Sequence, residues 1–83
     1  MKLTKKQKEF LENLRALNTK EESPNVLQVA SATEGGLSWG QALYRYRICD
    51  QLISMGLVRN SSSGRVRELH ITEEGLQALE EER

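Results

Sequence analysis

In this chain of 83 residues, the side chains best suited to binding another molecule are arginines in its second half. They are Arg45, Arg47, Arg59, Arg65 and Arg67. The last three flank a turn of serines at residues 61–63. An arginine guanidinium forms paired hydrogen bonds with phosphate oxygens or with the edge of guanine. A serine hydroxyl can also donate to phosphate. These residue types and their spacing predict a surface that binds a nucleic acid.

Charge is spread unevenly along the chain, although Lys and Arg total 12 and Asp and Glu also total 12. Residues 37–67 hold the five arginines and Asp50 as their only acid, whereas glutamates dominate residues 68–82. Zero net charge argues against strong nonspecific attraction to polyanions, but it permits one basic face. The length fits a single domain spanning 1–83.

Cysteine and histidine each occur once, as Cys49 and His70, and this limits the reactive chemistry. One of each cannot build a metal cage or a familiar nucleophile and base pair, so we expect no enzyme activity, no metal and no cofactor. The charged first ten residues do not resemble a signal peptide, and no apolar run is long enough for a membrane span. A single cysteine suits a reducing compartment, so the expected location is cytoplasmic.

Capping residues and apolar spacing predict two helices in the first part of the chain. The first covers 4–18 and opens with a capping box of Thr4 and Gln7. The second covers 24–33, with Ser23 as its N-cap.

A third helix, a hairpin and a last helix are predicted for the second part. The third helix covers 38–55 and ends at Gly56. Its apolar stripe runs in steps of four, four and three through Tyr44, Ile48, Leu52 and Met55. The hairpin covers 57–71, and the last helix covers 72–82 with Thr72 as its N-cap. The second and third helices fit a helix-turn-helix, whose later helix enters the major groove of DNA.

The arginines of the hairpin raise a problem of register. Strict strand alternation would put Arg65 and Arg67 on the core side together with Leu69 and Ile71. A hairpin that projects past the core would resolve the conflict, and so would a bulge.

The segment "LISMGLVRNSSSGRVRELHITEEGLQAL" resembles the C-terminal half of winged-helix regulators of the MarR and PadR type. The matching positions are Leu52, Gly56, Leu57, Val58, Ile71, Thr72 and Gly75. The resemblance covers residues 23–80. It implies a mainly α fold with a small β-hairpin, built as a three-helix core, a two-stranded wing and a C-terminal helix. It also implies sequence-specific DNA binding by a transcriptional regulator.

Two features depart from that family pattern. The chain lacks the long flanking helices with which MarR proteins dimerise and bind effectors, and Leu43 falls on the face that would meet DNA. Winged helices also serve as protein-interaction modules, and Leu43, the acidic tail and the zero net charge favour that alternative.

In the DNA-binding interpretation, the third helix reads the major groove and the wing lies on the phosphate backbone. The predicted contacts are Ser38, Gln41, Arg45, Tyr46, Arg47, Arg59, Ser62, Arg65 and Arg67. The alternative is a solvated helix face with a partly buried Tyr46, followed by an ordinary hairpin tip.

A homodimer is also expected, because most helix-turn-helix regulators bind two half-sites symmetrically. The contact requires an apolar patch outside the core. Leu11, near the edge of the first apolar stripe, is one candidate, and Leu76 and Leu79 of the last helix are others. The alternative is a monomer in which Leu11 covers the core.

Overall fold

A computed structural model describes residues 3–31 and 42–81 of the chain. Within these ranges the elements are α1 (Lys5–Thr19), α2 (Val26–Ser31), α3 (Ala42–Ser54), β1 (Val58–Asn60), β2 (Leu69–Ile71) and α4 (Glu73–Glu81). The described residues are mainly helical with one small antiparallel hairpin, as the sequence predicted. In the described ranges, no helix is long and apolar enough to cross a membrane.

Helix α1 lies at the centre of the fold, where it packs against α2, α3, α4 and β2. Its capping box is confirmed: the Thr4 hydroxyl accepts from the Gln7 amide at 3.2 Å, and the Gln7 side chain accepts from the Thr4 amide at 2.9 Å. Because elements pack on several sides of α1, the helix needs a wide apolar face. Phe10, Leu11 and Leu14 are all fully buried. The expectation that Leu11 lies at the edge of the core is therefore wrong, and Leu11 is not exposed for a dimer contact.

Helix α2 begins later than the sequence predicted. Asn25, not Ser23, caps it, because the Asn25 side chain accepts from the Gln28 amide and the Gln28 side chain accepts from the Asn25 amide, both at 2.8 Å. The carbonyl of Pro24 accepts from the amide of Leu69 in β2 at 2.9 Å. This bond to the sheet holds residue 24 outside the helix, so the first turn starts beyond it.

Helix α3 ends in a tight turn at Gly56, as predicted. Gly56 has a φ of 78°, its amide donates to Ile53, and the amide of Leu57 donates to the carbonyl of Leu52 at 3.0 Å. This bonding is the Schellman pattern, which needs a left-handed residue at the turn. Leu52 is fully buried, as its place in the predicted stripe required. The predicted helix start at residue 38 lies outside the described ranges.

The two strands pair Val58 with Ile71 and Asn60 with Leu69. Val58 and Leu69 are buried, so this face of the hairpin packs on the core. The returning strand is shorter than predicted, since β2 begins only at Leu69 and a bend occupies residues 64–66. The register problem is resolved because the strand does not reach the arginines, and alternation does not apply to them.

Helix α4 is fixed to the end of α3 by its N-cap, Thr72. The Thr72 hydroxyl donates to the carbonyl of Gly56 at 2.7 Å and accepts from the amide of Gly75 at 3.1 Å. At Gly75 the helix meets the backbone of Leu57 so closely that a Cβ would collide with the Leu57 carbonyl. Leu79 is buried in the core, whereas Leu76 remains 40% exposed.

Candidate functional site

The exposed side of α3 carries the predicted helix residues that the structure can place. Tyr46 and Arg47 point to solvent, and Tyr46 is 40% exposed. Asp50, Gln51 and Ser54 continue the same face at helical spacing and are also exposed. The opposite side of α3 is anchored in the core by Ile48, Cys49 and Leu52. Because this side is fixed, Tyr46 and Arg47 are presented from a rigid element.

The loop of the hairpin, residues 61–68, is organised by the side chain of Asn60. Its carbonyl oxygen accepts from the amides of Ser62 and Glu68, both at 3.1 Å. The Ser62 hydroxyl accepts from the amide of Gly64 at 3.1 Å, and the Ser61 amide donates to the carbonyl of Glu68 at 2.9 Å. The serine-rich turn is thus a structured loop rather than a soft tip.

Arg67 links this loop to α3. Its Nη1 donates to Asp50 Oδ1 at 2.6 Å and lies 3.5 Å from Cys49 Sγ. The same guanidinium lies over the Tyr46 ring, with Cζ 5.4 Å from the ring centroid. The hydrogen bond to Asp50 raises the pKa of Arg67, so the guanidinium stays charged. Burial raises the pKa of the Cys49 thiol, which therefore stays neutral at physiological pH.

Arg65 also approaches α3, although it remains exposed. Arg65 and Arg67 line a small depression of about 140 Å³ together with Tyr46, and Asn25 at the start of α2 forms another part of its wall. Tyr46 and Arg47 in turn line a broad open groove of about 740 Å³ along α3. We call the surface formed by Tyr46, Arg47, Arg65 and Arg67 the arginine face.

The remaining predicted contacts are distributed as follows. Arg59 is exposed on β1, opposite His70 and away from the core-facing side of the hairpin. Ser62 lies in the loop with its oxygen already accepting a hydrogen bond. Ser38 and Gln41 lie outside the described residues. Arg45 belongs to the helical backbone of α3, and its side chain is also outside the described part.

Three residues of this region were missed from the sequence: Asp50, Gln51 and Asn60. Asp50 could have been predicted as an arginine partner, because it is the only acid among the arginines of residues 37–67. Asn60 could also have been predicted, since asparagine readily bonds to the backbone two residues ahead. Gln51 could not have been predicted from sequence alone. Its side chain accepts from Gln7 of α1 at 3.1 Å, which only the packing of α1 on α3 produces.

Comparison of the chain with protein-family models, characterised proteins and solved structures gives no match. Across residues 3–31 and 42–81, no group of three or more His, Cys, Asp or Glu residues is arranged to hold a metal ion. The assignment of a function therefore depends on the residues of the arginine face and on their geometry.

Proposed function

We propose that the protein is a winged helix-turn-helix domain that binds DNA as a small transcriptional regulator. In this proposal α3 enters the major groove, and β1, β2 and their loop form a wing on the phosphate backbone. The observation that carries the proposal is the arginine face. Tyr46 of α3 lies beside Arg65 of the hairpin loop, and Arg47 is exposed next to Tyr46 on the helix, so one surface offers both base-reading and phosphate-binding groups.

Each of these side chains has a chemical role that suits its position. Arg47 projects from the middle of α3 and can bind guanine through two parallel hydrogen bonds. Tyr46 offers a ring edge to a thymine methyl group and a hydroxyl to phosphate. Arg65 in the loop and Arg59 on β1 are exposed cations that suit phosphate oxygens. The hydrogen bonds around Asn60 already order the loop, so the loop loses less conformational entropy when it binds the DNA phosphate backbone.

The test is fluorescence anisotropy with a labelled mixed-sequence duplex at two salt concentrations. The two phosphate contacts proposed for Arg59 and Arg65 should reduce affinity about twelve-fold between 50 and 200 mM salt. Arg59→Ala and Arg65→Ala should each lower the slope of affinity against salt by about one contact. Lys20→Ala is the matched control, because it removes an exposed cation from the end of α1 and should leave the slope unchanged.

A second experiment concerns base reading. Selection of tight-binding duplexes from a random pool should yield a consensus for the parent, and Arg47→Ala should relax that consensus at a guanine. If the parent fails to bind the mixed-sequence duplex at 50 mM salt, DNA binding is refuted. The protein-interaction alternative is then favoured, since Tyr46 and Val66 are large apolar residues left exposed beside the depression.

The proposal includes a homodimer on two DNA half-sites. With Leu11 buried and Leu79 in the core, the predicted contact is reduced to the exposed Leu76 of α4. Sedimentation equilibrium at micromolar protein, with and without DNA, should show a dimer for the parent and a monomer for Leu76→Glu. A monomeric parent under both conditions removes the homodimer from the proposal while leaving the DNA-binding test intact.

A further inference from the structure

Arg67 differs from the other cations of the arginine face in where its charge is placed. Its guanidinium turns back onto α3, 2.6 Å from Asp50 Oδ1 and above the ring of Tyr46. The contact with Asp50 spans 17 residues of sequence, so it joins the hairpin loop directly to the helix. Arg65, two positions earlier in the same loop, is exposed to solvent instead.

We infer that Arg67 is a positioning residue that pins the hairpin loop to α3 and neutralises Asp50. Phosphate contact is left to Arg65 and Arg59. This inference rests on the proposed function for its DNA part, while the pinning of the loop is a property of the free protein.

The energetic reason is competition between two anions. To bind a phosphate, Arg67 must leave Asp50 and the Tyr46 ring. It would exchange a short charge-assisted hydrogen bond to the carboxylate for a similar one to the phosphate. Asp50 would then stand without its partner, close to the DNA backbone, where like charges repel. The exchange therefore offers little gain, and Arg67 serves DNA binding best by remaining where it is.

Positioning also explains how Arg65 is held near α3. The bonds around Asn60 and Ser62 shape the loop internally, but they do not join it to the helix. The hydrogen bond of Arg67 with Asp50 and its cation–π contact with Tyr46 join the loop to the helix, and they hold Arg65 at the rim of the same depression as Tyr46.

Cys49 gives a direct test of the pinned loop, because it is the only cysteine, is fully buried, and lies 3.5 Å from Arg67 Nη1. Arg67→Ala should raise the rate at which an uncharged thiol reagent modifies Cys49 by roughly five- to tenfold, the size expected for a lost surface ion pair and cation–π contact. Asp50→Ala should raise it less, since the Tyr46 contact survives. The double variant should stay close to Arg67→Ala, because both substitutions open the same contact.

Several controls keep this measurement interpretable. Arg67 lowers the pKa of Cys49, so its loss in Arg67→Ala slows the reaction through electrostatics rather than speeding it, whereas Asp50 raises that pKa and its loss speeds the reaction slightly. Arg65→Ala is the matched control and should leave the rate unchanged. Melting curves must show that each variant is folded, and amide hydrogen exchange over residues 61–68 gives a second measure of loop opening. Unchanged thiol reactivity and exchange in Arg67→Ala overturn the inference.

The DNA part is tested with the double variant Arg67→Ala and Asp50→Ala, which preserves net charge. Under the inference, its affinity falls several-fold while its salt slope matches that of the parent. A slope reduced by about one contact identifies Arg67 as a phosphate ligand and overturns the positioning role. If the parent binds no DNA at all, the proposed function fails, and the thiol and exchange results still decide whether Arg67 pins the loop.

Discussion

Asn18 near the end of α1 should be among the most sensitive polar residues in the fold. Its amide nitrogen donates to the carbonyl of Leu69 at 3.1 Å and to the carbonyl of Glu22 at 2.9 Å. Its oxygen accepts from the amide of Ile71 at 2.8 Å. One side chain therefore bonds to β2 along its outer edge, in the way that a neighbouring strand would. The prediction is that Asn18→Ala destabilises the protein without altering the arginine face.

The size of the effect follows from the groups left behind. The bonds to Leu69 and Ile71 are partly buried, and a buried backbone group that loses its partner costs about 1–3 kcal/mol. Water at the sheet edge can replace part of each bond, which favours the lower value. Alanine also gains about 0.5 kcal/mol from its higher helix propensity. The expected loss is about 2 kcal/mol, which lowers the melting temperature of a domain this size by roughly 8–16 °C.

Urea unfolding followed by circular dichroism measures this loss as a shift of the midpoint at constant slope. Thr19→Ala is the matched control, because Thr19 is the next residue of α1, is exposed, and bonds only to its own helix at the Arg15 carbonyl. The control should change stability by less than about 0.5 kcal/mol. If Asn18→Ala is no less stable than Thr19→Ala, the bonds of Asn18 do not support β2 and the reasoning is refuted.

Three further predictions concern single positions. Gly75→Ala should cost about 2–3 kcal/mol in urea unfolding, because its Cβ would collide with the Leu57 carbonyl, whereas Gly64→Ala meets only ordinary contact and should be nearly neutral. Glu21→Gly should increase the free energy of unfolding by about 0.5–1 kcal/mol, seen as a higher urea midpoint, since Glu21 has a φ of 63° that glycine adopts without strain. The raised thiol pKa of Cys49 should stabilise the fold below its unfolded pKa and lose that effect as pH rises through the folded pKa, so alkaline unfolding should be less steep in Cys49→Ala.

The sequence predicted those elements that are set by local chemistry. The capping box of Thr4, the turn at Gly56 and the cap at Thr72 were all placed correctly, because each depends on residues within one helical turn. The buried position of Leu52 followed from helical spacing in the same way. The exposure of Tyr46 and Arg47 then followed, since they occupy the opposite side of α3.

What could not be predicted depends on contacts between distant segments. The helical spacing of α1 defines a single apolar face, so Leu11 was predicted at its edge. In the fold, four neighbouring elements pack around α1 and bury Leu11. Ser23 was predicted as the cap, but the bond between Pro24 and Leu69 keeps residue 24 outside the helix, and Asn25 is the N-cap. The pairing of Arg67 with Asp50 likewise requires the hairpin loop to fold back on α3.

The role of Asp50 changes how the neutral charge of the chain bears on DNA binding. In the sequence it is one acid among five arginines, and it reduces the positive charge of residues 37–67 only slightly. In the fold it occupies the exposed side of α3, where an unpaired carboxylate would repel phosphate, and it binds Arg67. Among the side chains of α3 and the hairpin that the structure describes, Arg47, Arg59 and Arg65 then remain as the exposed cations. With Arg47 reading a base, two phosphate contacts give a modest salt dependence, so useful affinity requires base contacts from α3 or a second copy of the domain on an adjacent half-site.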